Sequence, residues 1–234
     1  MNIGFIGLGV TGTPMVLDLS RRFPLTFWNR TASKFFTLSQ AGARVGETLR
    51  DLAENADVIF TMLFDETAFK SVWTPLLKEA LRGKILINTR SVSIRSSRYL
   101  AEVTSKVGAY FIEMPVSGSK SPAEQGQVVG MIAGDPCIAQ RIKPIVKPAI
   151  VKDAVHRGAI DSGLRTKYAV NLYLITMTAG LAESMALARA LVLDTKAFGQ
   201  VLNAGPMASP YSKLKVVKMT SRDYGPQGCS ERLL

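Results

Sequence analysis

The hexapeptide Gly7-Leu8-Gly9-Val10-Thr11-Gly12 is the first group of residues whose types and spacing could do chemistry. It lies between the apolar run Ile3-Gly4-Phe5-Ile6 and a segment of helical character that begins near Thr13-Pro14. A strand-to-helix turn of this kind turns the unpaired N–H groups of a first helical turn, at the positive end of the helix dipole, toward an anion. The first glycine permits the turn, the second lets backbone approach a pyrophosphate, and the third lets helix and strand pack closely. On this reading Gly7, Leu8, Gly9, Val10, Thr11 and Gly12 bind a dinucleotide. Near the end of the next strand, where an NAD-selective fold places an acidic residue on the ribose 2′-hydroxyl, the chain has Asn29-Arg30-Thr31. A carboxylate would repel a 2′-phosphate, whereas the Arg30 guanidinium can grip one through charge-assisted hydrogen bonds. The expected cofactor is therefore NADPH. Each feature also has an ordinary alternative, a glycine-rich turn without a ligand and a solvated surface cation.

The elements that must position these residues follow from the apolar pattern. A helix is expected over Pro14–Arg21 and a second strand over Leu25–Trp28, with Pro24 at its start, where a missing N–H is tolerated. Helices over Ala32–Gln40 and Leu49–Asn55 flank a short strand at Ala43–Val45, and Val58–Met62 reads as a buried strand. That strand ends at Leu63-Phe64-Asp65, at the carboxyl edge where doubly wound sheets bind ligands, so Leu63 and Phe64 join the cofactor-binding candidates. A helical stretch to about Leu81, a strand over Ile85–Asn88, a helix over Ser93–Val107 and a strand over Tyr110–Glu113 continue the alternation. The implied fold class is α/β, a Rossmann-type doubly wound and mostly parallel sheet. Val128–Ala133 and Ala154–His156 are expected as further edge strands. From Leu164 to about Leu193 the chain reads as one helix, apolar almost all round, which must then be buried between domains or subunits. The domain boundary is expected near Gly158–Gly163, giving a dinucleotide-binding domain over residues 1–160 and an all-α domain over residues 161–234.

Composition narrows the function classes. The chain of 234 residues suits one full α/β domain and a smaller unit. Cys137, Cys229 and the single histidine, His156, have no metal-like spacing, so neither a metal site nor a histidine base is expected. The net charge of +11 is scattered, apart from Lys213, Lys215 and Lys218, and no zinc-finger spacing or aromatic run accompanies it, so no nucleic-acid partner is expected. Residues Met1–Ile6 lack the features of an export signal, which predicts a cytoplasmic protein. The longest uncharged stretch, Tyr168–Ala182, is shorter than a membrane span and no membrane partner is expected.

Four separated stretches together resemble the β-hydroxyacid dehydrogenase family, which includes 3-hydroxyisobutyrate dehydrogenase and tartronate semialdehyde reductase. They are Gly4-Phe5-Ile6-Gly7-Leu8-Gly9, the segment Asn88–Ser93, Met114-Pro115-Val116-Ser117-Gly118-Ser119, and Gly163 through Lys167 to Asn171. The run Pro115–Gln127 is most similar to the glyoxylate/succinic semialdehyde reductase branch. The resemblance implies NAD(P)-linked interconversion of a small carboxylated alcohol and its aldehyde. It makes Lys167 the proton donor, with Asn171 orienting Lys167 or the substrate. It further places Ser117, Gly118 and Ser119 on the substrate carboxylate and Ser91 near the nicotinamide. The chemistry of the residues agrees: Lys167 and Asn171 are four apart and share a helix face. An ammonium beside a carbonyl can stabilise the developing oxyanion and protonate it.

Three departures accompany the resemblance. Asn88-Thr89-Arg90-Ser91 stands where the family has Asp-x-Ser-Thr, so Arg90 either grips a second anionic group or crowds the nicotinamide pocket. Asp161 stands where the family generally has the first glycine of a Gly-x-Gly turn. Beyond Tyr224 the chain leaves the family's helical pattern, and a shortened chain or a change of reading frame is expected to leave the helical layer incomplete. Apolar surface on the Leu164–Leu193 helix would then favour a homodimer or poor solubility. Two other functions stay open, an imine reductase relative and a non-catalytic NADPH-binding protein.

Overall fold

The structure, a computed structural model, describes residues 1–32, 35–63, 71–74, 76, 81–118, 120–147 and 149–223. Of the candidate site residues, Phe64 and Ser119 lie outside the described residues, as does Cys229. The chain divides into two compact units, Met1–Lys167 and Tyr168–Leu234.

In the first unit, β1 (Ile3–Ile6), α1 (Gly12–Ser20), β2 (Leu25–Trp28), α2 (Phe35–Gln40), β3 (Arg44–Val45), α3 (Leu49–Glu54), β4 (Val58–Thr61) and β5 (Ile85–Asn88) come first. They are followed by α4 (Ile94–Lys106) and β6 (Tyr110–Glu113). These strands form one sheet in the order β3-β2-β1-β4-β5-β6, every neighbouring pair parallel. This is the doubly wound dinucleotide-binding order, with its switch point between β1 and β4. The central strands β1, β4 and β5 are buried along their whole length, as expected of a sheet covered on both faces. Alternation along them separates two cores: Ile3, Phe5, Val58, Phe60, Ile85 and Ile87 face one, while Ile6, Ile59 and Leu86 face the other.

Register then sets the site. Ile6 pairs with both Trp28 and Thr61, Thr61 with Asn88, and Asn88 with Glu113. Five strands therefore end in line, and the residues that follow them emerge on one edge. From the turn after β1 to the turn after β6 is three strand spacings, roughly 14 Å.

After β6 the chain leaves the sheet at Pro115, which has no N–H to continue the ladder. A second sheet follows, made of β7 (Val116–Ser117), β8 (Val129–Ile132) and β9 (Asp153–His156). Here β7 pairs antiparallel with β8, and β8 parallel with β9. Reciprocal backbone hydrogen bonds between Glu113 and Ala133, at 3.0 and 2.7 Å, join it to the end of β6. The strands expected near Val128–Ala133 and Ala154–His156 thus exist, but in a sheet of their own. Between β7 and β8 lies α5 (Lys120–Glu124), and between β8 and β9 lies α6 (Pro136–Val146), a helix the sequence pattern had not suggested. Its start carries a readable signal, since the Asp135 carboxylate accepts from the N–H groups of Cys137 and Ile138 and Pro136 follows.

The long helix is α7 (Ser162–Ala190), of 29 residues, whose first turn and a half belong to the first unit. Within the second unit it is joined by α8 (Thr195–Ala204) and α9 (Pro210–Ser221). A Cβ on Gly199 would stand 2.6 Å from Val216 Cγ1, so this glycine allows α8 and α9 to pack closely. The Thr178 and Tyr211 hydroxyls meet at 2.7 Å, and Arg189 donates to the Met219 carbonyl at 3.1 Å.

Within the single chain this helix is largely exposed. Between Tyr168 and Ala190 only Met185 and Ala188 are buried, whereas Leu172 and Tyr173 are 67% and 66% exposed. The contacts the helix makes with α9 at Thr178 and Arg189 leave most of it open, and an all-round apolar helix needs cover on every side. By length and composition this helix could also cross a membrane, so the uncharged stretch Tyr168–Ala182 understates it.

Candidate active site

At the glycine loop two glycines are demanded by the backbone and one is not. Gly7 has φ of +103°, and a Cβ there would lie 2.3 Å from the Met62 carbonyl oxygen. A Cβ on Gly12 would lie 2.2 Å from the Gly7 carbonyl oxygen. Around Gly9, in contrast, a Cβ would meet nothing within 4 Å. The space beside Gly9 is therefore open, as close approach of a phosphate requires. Thr11 provides no side-chain cap for α1, and the first turn carries no acidic residue, which leaves an anion-attracting helix end at the loop. Gly9 and Val10 are exposed, whereas Leu8 is buried.

Asn29 ties this loop to the end of β2. The Leu8 N–H donates to Asn29 Oδ1 at 3.0 Å, and Asn29 Nδ2 donates to the Thr31 carbonyl at 2.8 Å. Its amide thus braces two loops and holds the exposed Arg30 and Thr31 beside the glycine turn. On the other side of β1, the buried Met62 and Leu63 follow β4.

The turn after β5 is folded by its own side chains. Asn88, fully buried, donates from Nδ2 to the Arg90 carbonyl at 3.0 Å and accepts the Arg90 N–H at 3.3 Å. The Thr89 hydroxyl donates to the Thr61 carbonyl at 2.8 Å. Ser91 is held half-buried just beyond. After β6, Ser117 is half-buried in β7 and Gly118 is exposed, with φ of +143° and only 2.5 Å between a built Cβ and Val128 Cγ1.

The residue that organises this end of the site is Glu113, last in β6 and fully buried. Its Oε1 accepts the Leu164 N–H at 2.7 Å; Oε2 accepts the Ser97 hydroxyl and, at 3.3 Å, the Asp161 N–H. The carboxylate therefore caps the start of α7 with its negative charge. Gly163 makes the close seating possible, since a Cβ there would lie 2.6 Å from the Met131 carbonyl oxygen and 2.9 Å from Glu113 Oε1. Lys167, half-buried, follows Leu164 by three residues, under one helical turn. Ser117 follows Glu113 by four. The Glu113 carboxylate thus holds the turn that leads to Lys167, while its backbone, paired with Ala133, precedes the strand that carries Ser117. Asn171 lies one turn beyond Lys167 on the same helix and belongs to the second unit.

Glu113 was not singled out by sequence reasoning, which took it as the end of a strand. An acidic residue closing an apolar strand directly before Met114-Pro115 was the available signal. Burial pushes its carboxyl above the ordinary glutamate range, and the hydrogen bonds from Ser97, Leu164 and Asp161 pull it partly back. Asp161 is displaced the other way, held low by hydrogen bonds from Arg98 and Arg165.

A cradle open at Gly9, an uncapped helix end and a cation beside the second strand fit a dinucleotide. A parallel sheet in this order with that cradle defines a nicotinamide dinucleotide-binding unit, and comparison with known proteins agrees. The profile of the NAD binding domain of 6-phosphogluconate dehydrogenase matches residues 2–154. Glyoxylate/succinic semialdehyde reductase 1 of Arabidopsis thaliana is 32% identical over 230 residues, which cover 97% of this chain and 79% of that protein. The chloroplastic reductase 2 of the same plant is 30% identical over 228 residues, covering 96% of this chain and 63% of that protein. The structure of Mycobacterium tuberculosis 3-hydroxyisobutyrate dehydrogenase with L-serine matches with a TM-score of 0.80 at 23% identity. That match covers 90% of this chain and 72% of the other, and supports the fold. The chain belongs to the family of NAD(P)-dependent hydroxyacid dehydrogenases and reductases built on this domain.

Proposed function

We propose that the protein uses NADPH to reduce a small carboxylated aldehyde of the succinic semialdehyde or glyoxylate type, or oxidises the matching hydroxy acid. The observation that carries this reading is Glu113, whose carboxylate holds the start of the helix that carries Lys167 and which stands four residues before Ser117 in the chain. Gly7, Leu8, Gly9, Val10, Thr11 and Gly12 would hold the pyrophosphate, Arg30 and Thr31 the 2′-phosphate, and Leu63 and Ser91 the neighbourhood of the nicotinamide. A bound nicotinamide would supply the hydride to the carbonyl carbon. Lys167 stabilises the oxygen as charge grows there and passes it a proton, leaving a neutral amine that is reprotonated from solvent. Ser117 and the Gly118 N–H receive the substrate carboxylate, and Asn171 orients the Lys167 ammonium or the substrate. The exposed apolar side chains of α7 are read as a surface shared with a second copy, so a dimer is expected by light scattering.

Incubating the protein with NADPH and a panel of small carboxylated aldehydes tests the reaction through loss of nicotinamide absorbance. Turnover of one or more, lowered on the order of 100-fold or more in Lys167→Ala while NADPH still binds, is the expected result. Tight NADPH binding with no turnover of any carbonyl would select a non-catalytic binding protein, and turnover of uncharged cyclic imines would select an imine reductase. Arg30→Ala should weaken NADPH more than NADH; an equal loss for both would make Arg30 structural.

A further inference from the structure

The link between β9 and α7 holds a residue in a conformation it does not favour. Asp161 has φ of +80°, in the left-handed region that glycine enters freely and other residues rarely do. Its carboxylate is engaged from two helices. Arg98, on α4, donates to Oδ2 from Nε at 2.7 Å and from its Nη2 as well. Arg165, on α7, donates from Nε to Oδ1 at 2.7 Å. The Asp161 N–H donates in turn to Glu113 on β6. One residue therefore joins α4, β6 and the first turn of α7, two positions before Lys167 on the Arg165 side.

Both arginine side chains are 60% exposed, and exposed ion pairs are worth little in general. Two features separate this one from a surface pair. An ordinary surface pair requires no residue in the left-handed region, and this carboxylate is itself 10% exposed and divided between two partners on different helices. The cost of the backbone conformation is offset only if holding α4 and α7 together matters.

We infer that Asp161, bridged to Arg98 and Arg165, is a positioning residue that fixes the first turn of α7 and with it the Lys167 ammonium. The inference rests on Lys167 as proton donor. Its effect is on where the ammonium stands, not on cofactor affinity, because the glycine loop lies three strand spacings, roughly 14 Å, away along the sheet edge.

Asp161→Gly is the direct test, since glycine is at ease at this φ and the substitution removes the carboxylate without adding strain. The expected result has two parts. Turnover falls on the order of tenfold or more while NADPH affinity is unchanged. Hydrogen exchange quickens at the amides of residues 163–167 while β1, β4 and β5 stay protected. Asp161→Asn, which also tolerates the left-handed region but cannot serve two guanidinium groups, should behave alike, and Arg98→Lys should restore part of what Arg98→Ala loses. Wild-type turnover together with unchanged exchange at residues 163–167 in Asp161→Gly would overturn the inference, as would exchange that quickens equally throughout the first unit. A wild-type protein that turns over nothing would defeat the proposed reaction alone. The exchange measurement would still decide: quickening confined to this turn supports the bridge, and its absence refutes it.

Discussion

At the glycine loop position is a backbone property, whereas at the start of α7 it is a property of charges. Gly7 and Gly12 are where they are because any Cβ would collide with main-chain oxygens, and the loop is braced by the uncharged side chains of Asn29 and Thr13. The first turn of α7 is seated by Glu113 and bridged by Asp161, Arg98 and Arg165, with Gly163 admitting the approach. A cradle for phosphate needs N–H groups and empty space, so glycines suffice. On the proposed reading a proton donor must be aimed, and the hydrogen-bonded carboxylates at this turn would supply the directionality that a glycine lacks.

The comparison can be broken from either end. The largest effect belongs to Gly7→Ala, where a positive φ and a 2.3 Å approach to the Met62 oxygen act together. A loss of roughly 3–5 kcal/mol in denaturant unfolding is expected. Glu113→Ala should follow at about 2–3 kcal/mol, because it leaves the buried Ser97 hydroxyl and Leu164 N–H without an acceptor. Glu113→Gln, which keeps one acceptor oxygen but turns an NH2 toward the donors of the other, should cost less than Glu113→Ala, about 1–2 kcal/mol. If Gln and Ala are equally damaging, the negative charge rather than the acceptor seats α7. Gly9→Ala should leave the unfolding midpoint in place and weaken NADPH binding on the order of tenfold, about 1.4 kcal/mol, since a Cβ there meets only open space. A fall in stability instead would show that Gly9 serves the fold.

The smallest effect is in pH dependence, where the two carboxyls of the α7 junction act in opposite senses. Asp161 is held low, so its contribution is complete above the ordinary aspartate range and is lost as pH falls through its depressed value. The stability deficit of Asp161→Asn should therefore shrink on acidification below about pH 4. Glu113 is raised, so the stability linked to its proton is complete below the ordinary glutamate range and is lost as pH rises through its elevated value. The deficit of Glu113→Gln should accordingly shrink as pH rises. Parallel profiles for the two variants would mean that one shared event, not two opposed ones, governs the junction.

Most of the first sheet was legible in the chain. Val58–Thr61 and Ile85–Asn88 are continuous apolar runs, and strands buried on both faces have no other pattern. Gly7 and Gly12 announced the cradle because close approach to main-chain oxygens excludes every larger residue, and Gly9 because it leaves the space beside it open. Less legible were the second sheet, which depends on Pro115 turning the chain away from β6, and helix α6, whose Asp135-Pro136 start was overlooked.

What the sequence determined by itself was local: period, turn chemistry and the resemblance carried by Ser117, Lys167 and Asn171. Only tertiary structure decided that β1, β2, β4, β5 and β6 end in register, which puts Gly7, Asn29, Met62, Thr89 and Met114 on one edge. It alone brought Glu113 to Leu164 across 51 residues and Asp161 to Arg98 across 63. It also left the apolar side chains of α7 at Leu172 and Tyr173 exposed within the single chain. The physical reason is common to all three: hydrophobic periodicity specifies which face seeks cover, while what covers it, and which charge meets which donor, depends on elements distant in the chain.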